Sequence, residues 1–317
     1  MAVQIAVLDD WQDVARQVVD WSVLEAIGQV SFIHDYPADN ATLATRLAGF
    51  EVICVMRERT RFDEDLLRRL PALKLLVTGG MRNAALDLKA AAALGIQVSG
   101  SDSYKHAAPE LTWALIMAAT RNLVAEANAL RAGHWQQGLG GDLHGKTLAI
   151  LGLGSIGQRV AQFGQVFGMR VIAWSENLTA ERAAEVGVTY VSKQELFEQA
   201  DVLSVHLVLS DRSRGLVDAQ ALDWMKPTAL LVNTARGPIV DEAALIKALQ
   251  KQRLAGAALD VFEQEPLPAH HPFRTLANVL ATPHVGYVSQ QNYHQFFSQM
   301  IEDIQAWSAG TPIRLLS

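Results

Sequence analysis

Short runs rich in Val, Ile and Leu recur along the chain, and stretches with apolar residues three and four apart separate most of them. The first set of runs covers residues 5–8, 30–33, 52–55, 73–77 and 96–98, with helical patterns such as 41–47 and 63–70 between them. The second set covers 148–151, 171–174, 202–207, 230–233, 255–259 and 279–281, with helices such as 156–167, 194–199 and 241–250. Strands alternating with helices predict α/β layers built on parallel sheets. One long helix is expected over 108–132, with Ser103 as a candidate cap, Pro109 near its start and Gly133 at its end. A last apolar-periodic helix is expected over 292–308. The apolar tail 312–316 then packs most simply on the first set of strands, which makes that domain discontinuous. The predicted domains are 1–102 with 288–317, and 103–287.

The bulk numbers remove some classes of function. Half of the 317 residues are apolar and 19% are charged, as in ordinary globular proteins. A net charge of −6 and a pI near 5.8 argue against nucleic-acid or anionic-membrane partners. No apolar run is long enough to span a bilayer. Asp9 and Asp10 interrupt the first apolar run where a signal peptide would continue, so a buried first strand and a cytoplasmic location are expected. Cys54 is the single cysteine and reads as a small buried residue.

The chemistry begins at Gly152-Leu153-Gly154-Ser155-Ile156-Gly157, where a predicted strand enters a G-x-G-x-x-G turn and a helix leaves it. A dinucleotide pyrophosphate needs that order. Gly152 allows the tight turn, Gly154 lets backbone approach phosphate, and Gly157 lets helix pack on strand. The N–H groups of the helix start, including those of Ser155 and Ile156, then receive the phosphates. Three other strands of this set deliver reactive residues at their carboxyl ends: Arg236, Glu265 and His284. Together they suit redox chemistry on a 2-oxo acid. Arg236 offers a planar fork to a carboxylate, His284 can protonate a carbonyl oxygen, and Glu265 can orient the ring and favour its charged form.

These segments resemble the D-isomer-specific 2-hydroxyacid dehydrogenase family over essentially the whole chain. The matching stretches are residues 143–147, the glycine turn, Asn233-Thr234-Ala235-Arg236-Gly237, Ala258-Leu259-Asp260-Val261-Phe262, Glu265-Pro266 and Thr282-Pro283-His284-Val285-Gly286. The resemblance implies a Rossmann-type doubly wound sheet for cofactor in 103–287 and a flavodoxin-like substrate-binding domain in the remainder. Substrate would bind in a cleft that closes on it. It also implies a homodimer joined through the cofactor domain. Arg236, Glu265 and His284 would be catalytic, Asp260 would meet the nicotinamide carboxamide, and Thr234, Ala235 and Gly286 would lie by the cofactor. His206 stands at the family's His-x-Pro loop, but Leu207-Val208 follow it and the proline is missing. Arg57 falls in the substrate-facing segment. Gly80, Met81 and Arg82 fall in the loop whose amides hold the substrate carboxylate, although Met81 and Arg82 depart from the usual small residues. At the position of the acid that reads an NAD ribose stands Ser175, with Glu176 one residue late. NAD is favoured on Glu176, and NADP stays open through Ser175, Asn177 and Arg182.

The remaining histidines and tryptophans have plainer readings. His270 and His271 read as loop residues rather than metal ligands, and no metal is expected. His106 reads as packing at a helix start with a substrate contact as the rival, and His144 as a surface-turn residue. Trp135 is a candidate for a subunit contact. The expected activity is hydride transfer between a nicotinamide cofactor and a small 2-oxo or 2-hydroxy acid. The alternatives are a formate-dehydrogenase-like activity, which Glu265 disfavours, and a cofactor-sensing or corepressor module on the same fold.

Overall fold

Apolar runs flanked by turns become the strands of two parallel sheets in the computed structural model, which describes residues 2–35 and 39–317. The chain divides into two compact units, Met1–Tyr104 with Val288–Ser317, and Lys105–Tyr287. The first unit holds β1 (Val3–Val7), β2 (Gly28–Phe32), β3 (Val52–Val55), β4 (Leu75–Thr78) and β5 (Gln97–Gly100) in the order β2-β1-β3-β4-β5. The second holds β6 (Thr147–Leu151), β7 (Arg170–Trp174), β8 (Thr189–Tyr190), β9 (Val202–Val205), β10 (Leu230–Asn233), β11 (Gly256–Leu259) and β12 (Val279–Ala281). Its order is β12-β11-β10-β9-β6-β7-β8. The five-stranded order is flavodoxin-like and the seven-stranded order is of the Rossmann type.

Helices on both faces explain the unbroken apolar strands. In β6, Leu148 and Ile150 enter one core and Ala149 and Leu151 the other, the period of two expected of a sheet covered on both sides. Register follows from the same burial: Leu148 lies opposite Val171 on one side and Val202 on the other. Cys54 is fully buried in β3, and burial pushes its thiol pKa upward.

The long helix expected over 108–132 is two helices, Ala107–Thr120 and Leu123–Arg131. Asn122 between them has φ +54, a left-handed conformation that Asn tolerates better than most residues and that stops helix propagation. His106 takes the cap position, so Ser103 is not the cap. Gly133 ends the second helix at φ +85. In the first unit, helix Gln290–Ser308 packs Phe296 against the β4 loop, where a Cβ on Gly79 would lie 3.2 Å from the Phe296 ring. The tail runs antiparallel to β5: Ser99 bridges Leu315, and Leu316 N donates to Val98 O at 2.8 Å.

Candidate active site

Parallel sheets collect the loops after their strands at one edge, so residues that follow neighbouring strands meet there. Arg236, Glu265 and His284 follow β10, β11 and β12, which are adjacent in the sheet of the second unit. His284 Nδ1 donates to Glu265 Oε2 at 2.5 Å, and Phe262 N holds the other carboxylate oxygen at 2.9 Å. His284 has φ +52. A non-glycine residue in that region must be held by its surroundings.

Asp260 does the holding. It is fully buried, and its Oδ1 accepts from Thr282 Oγ1 at 2.6 Å and Val285 N at 2.8 Å. Its Oδ2 accepts from Gly286 N at 2.8 Å. Burial raises the Asp260 pKa, and these hydrogen bonds oppose the rise. Asp260 therefore ties both sides of His284 to the end of β11. Arg236 follows a turn shaped by Asn233, whose Nδ2 donates to Arg236 O at 2.9 Å and whose Oδ1 accepts from Ala235 N at 3.0 Å. Thr234 Oγ1 lies 2.7 Å from Thr112 Oγ1.

The glycine turn has the shape a dinucleotide requires. Gly152 sits at φ +103 after β6, and a Cβ there would come within 2.9 Å of the His206 carbonyl. A Cβ on Gly157 would lie 2.2 Å from Gly152 O. Gly154, by contrast, would place a Cβ in open space. It precedes helix Ser155–Val166 as an N-cap without a side-chain hydrogen bond, and Ser155 and Ile156 are exposed. Such an uncapped, open helix start fits a pyrophosphate. His206 lies beside this turn with its Nε2 2.8 Å from Ser204 Oγ, and burial pushes its pKa down to about 3, so the ring is neutral. Past β7, Ser175 is half-buried at the strand end and Glu176 is exposed. His106 lies against Arg159, with its Nδ1 2.8 Å from Arg159 Nη1.

In the first unit the structure brings Arg57 and Gly80 together. Arg57 has φ +56 after β3, its carbonyl accepts from Asn83 Nδ2 at 2.6 Å, and a Cβ on Gly80 would run into Arg57 Nη1. Gly80 N already donates to Ser101 Oγ at 3.1 Å, so this amide is engaged within the loop. Met81 and Arg82 are exposed, and Arg82 has no ion pair among the described residues.

Sequence reading missed a second network here. The switch point of a β2-β1-β3 order lies between β1 and β3, and buried Asp9 occupies it. Its Oδ1 accepts from Thr60 Oγ1 at 2.6 Å and its Oδ2 from Met56 N at 3.2 Å. Arg59 donates to the Asp9 carbonyl and to Tyr293 Oη, and stacks over Trp11 at 4.4 Å. Burial raises the Asp9 pKa to about 6 against these bonds. The signal was its place directly after β1. Asp10, Asp13 and His34 also gather nearby, but Asp10 accepts Val14 N and Ala15 N, and His34 pairs with Asp13 at 3.3 Å.

The chain is similar to known proteins over most of its length. Residues 113–286 match the family described as D-isomer specific 2-hydroxyacid dehydrogenase, NAD binding domain. The chain is 40% identical over 260 residues to a glyoxylate reductase of Aeropyrum pernix, covering 79% of this chain and 78% of that protein. It is 35% identical over 268 residues to a D-3-phosphoglycerate dehydrogenase of Methanocaldococcus jannaschii, covering 83% of this chain but only 50% of that protein. The solved structure of a phosphoglycerate oxidoreductase from Vibrio cholerae superposes with a TM-score of 0.94 at 41% identity, over 97% of this chain and 99% of that one.

Proposed function

The chain belongs to the D-isomer-specific 2-hydroxyacid dehydrogenase family, and from that premise we propose that it reduces small 2-oxo acids of the glyoxylate and hydroxypyruvate class with His284 as proton donor. As a member it is an NAD-dependent enzyme that moves a hydride between a 2-hydroxy acid and a 2-oxo acid. The observation that carries the proposed roles is the 2.5 Å contact between His284 Nδ1 and Glu265 Oε2. It orients the ring through Nδ1 and leaves Nε2 for the carbonyl oxygen of the substrate.

The bound nicotinamide supplies the hydride. Ser155, Ile156 and Gly157 offer N–H groups for its pyrophosphate, and Glu176 disfavours a 2′-phosphate, so NADH is the preferred donor. His284 gives a proton to the oxygen as charge develops there, and Glu265 holds the ring in place through Nδ1. Arg236 presents its fork to the carboxylate and so orients the carbonyl. Asp260 holds the loop that carries His284. Arg57 and the amides of Met81 and Arg82 are candidate substrate contacts, as the family resemblance implies. The small-acid reading rests on likeness to the glyoxylate reductase, which this chain matches over most of both lengths.

We also infer a homodimer. Helix Leu123–Arg131 buries no residue, and Leu123, Val124 and Leu130 are about half exposed beside Trp135 and Leu139, at 74% and 96%. A groove of about 800 Å³ lined by Ala119, Val124, Leu139 and Leu280 continues this face. Large apolar side chains left exposed together on one helix and the segment after it suit an association surface. Light scattering should give twice the 34.6 kDa chain mass, and Val124→Asp should give the single chain; a monomeric wild type refutes the dimer.

The function is tested by following NADH and NADPH oxidation over glyoxylate, hydroxypyruvate, pyruvate and phosphohydroxypyruvate. Turnover of the two small acids with NADH is expected. Turnover of phosphohydroxypyruvate alone would overturn the small-acid reading, and equal use of NADPH would overturn the role of Glu176.

A further inference from the structure

One side chain grips both ends of the loop that presents Glu265. Glu242 opens helix Glu242–Gln250, directly after the cap Asp241. Its Oε2 accepts from Glu263 N at 3.2 Å, and its Oε1 accepts from His271 Nε2 at 3.0 Å. His271 Nδ1 accepts in turn from Phe273 N at 3.3 Å. The ring proton must therefore sit on Nε2, facing Glu242. Both side chains are mostly buried, at 14% and 18% exposure. A carboxylate placed at the start of a helix is also favoured by the helix dipole.

The rest of the loop is fixed by separate contacts. Arg274 donates through Nε to Pro268 O at 2.9 Å and through Nη2 to Leu267 O at 2.6 Å. On the other side, a Cβ on Gly237 would lie 2.0 Å from the Phe262 carbonyl carbon, so the turn that carries Arg236 rests against the start of the loop. Glu242 thus closes a segment with Glu265 inside it, Arg236 beside it and His284 in hydrogen-bonding reach. A 2.5 Å contact leaves little latitude, and a displacement near 1 Å costs on the order of a hundredfold in rate where reacting groups must align.

We propose that Glu242 and His271 are positioning residues for the reaction: their hydrogen-bonded pair fixes the loop that aims Glu265 at His284. The proposal rests on the roles given above to Glu265 and His284. It gives His271, which reads in sequence as a loop residue, a defined task.

The test uses the full chain with NADH and glyoxylate, and compares His271→Leu, His271→Gln, Glu242→Gln and Glu265→Gln. His271→Leu should lower kcat about tenfold or more, while KM and the NADH Kd stay within about twofold. The limb of the pH profile that reports loss of the proton donor should move in the same direction as in Glu265→Gln. His271→Gln, whose amide can still donate to Glu242, should restore both readings. Glu242→Gln keeps the size of the side chain and one acceptor, and carries the same readings should His271→Leu fail to fold. A wild-type kcat and pH profile in His271→Leu, beside a collapsed Glu265→Gln, overturns the positioning role alone. Equal loss of kcat in His271→Leu and His271→Gln with an unmoved pH profile also overturns it. An unaffected Glu265→Gln overturns the catalytic reading and this proposal with it.

Discussion

Gly154→Ala and Gly157→Ala add the same methyl three residues apart, and the structure predicts a loss of cofactor affinity in both but a loss of stability only in the second. At Gly157 the new Cβ would lie 2.2 Å from the Gly152 carbonyl oxygen and 3.1 Å from Ile150 Cγ2. The helix would have to retreat by about 1 Å, and forcing an extra carbon into a packed interior costs about 1–3 kcal/mol. Gly157→Ala should therefore lose stability and cofactor affinity together. At Gly154 the methyl meets nothing within 4 Å, and φ −80, ψ −166 suits any residue. Its cost as a poorer cap, a fraction of a kcal/mol to about 1, is offset by about 0.4–1 kcal/mol from a less flexible unfolded chain. Stability should barely change. The methyl would instead stand before the N–H groups of Ser155 and Ile156, and a lost hydrogen bond to a charged phosphate is worth about 1.5–3 kcal/mol. That is a rise of about tenfold or more in the NADH Kd. NADH fluorescence titration beside urea denaturation reads both quantities. Wild-type NADH affinity in Gly154→Ala would refute the assignment of this turn to the pyrophosphate.

His284→Ala should reduce kcat by about a hundredfold to ten-thousandfold with the NADH Kd nearly kept, as loss of a general acid requires; steady-state kinetics and titration check it, and near-normal turnover removes the proton donor. Arg236→Lys should raise KM for glyoxylate about tenfold or more, because a point charge cannot copy the bidentate fork; an unchanged KM counts against a carboxylate contact. Asp9 has its folded pKa raised from 3.8 to about 6, so its contribution to stability is present below 3.8 and lost as pH rises through 6. At about 1.4 kcal/mol per pH unit the loss reaches about 3 kcal/mol. Asp9→Asn can still accept from Met56 N and donate to Thr60 Oγ1, so its urea stability relative to wild type should rise across that window; a pH-independent difference would contradict the burial argument.

Buried parallel strands were legible because both faces are covered, which leaves short apolar runs that no solvent-facing pattern interrupts. β8 was not, since Thr189 and Tyr190 are both exposed. Helices Ala180–Ala184 and Ala219–Trp224 complete too few turns for a periodic stripe to show. The break at Asn122 escaped because a left-handed residue other than glycine carries little local signal. In the second unit the reactive residues were visible because strand ends are readable and each of the three is followed at once by its loop. What joins them was not: Asp260 to Gly286 and Glu242 to His271 are contacts between residues far apart in sequence. Asp9 appeared only as a charge that interrupts an apolar run, because its partners Met56 and Thr60 arrive from another strand.

The most direct measurement is chiral analysis of the product formed from hydroxypyruvate and NADH by the wild-type chain and by His284→Ala. The wild type should give the D-hydroxy acid with stoichiometric NADH oxidation, and the variant should give almost none while still binding NADH. An L product, or a variant that turns over like the wild type, would contradict the account.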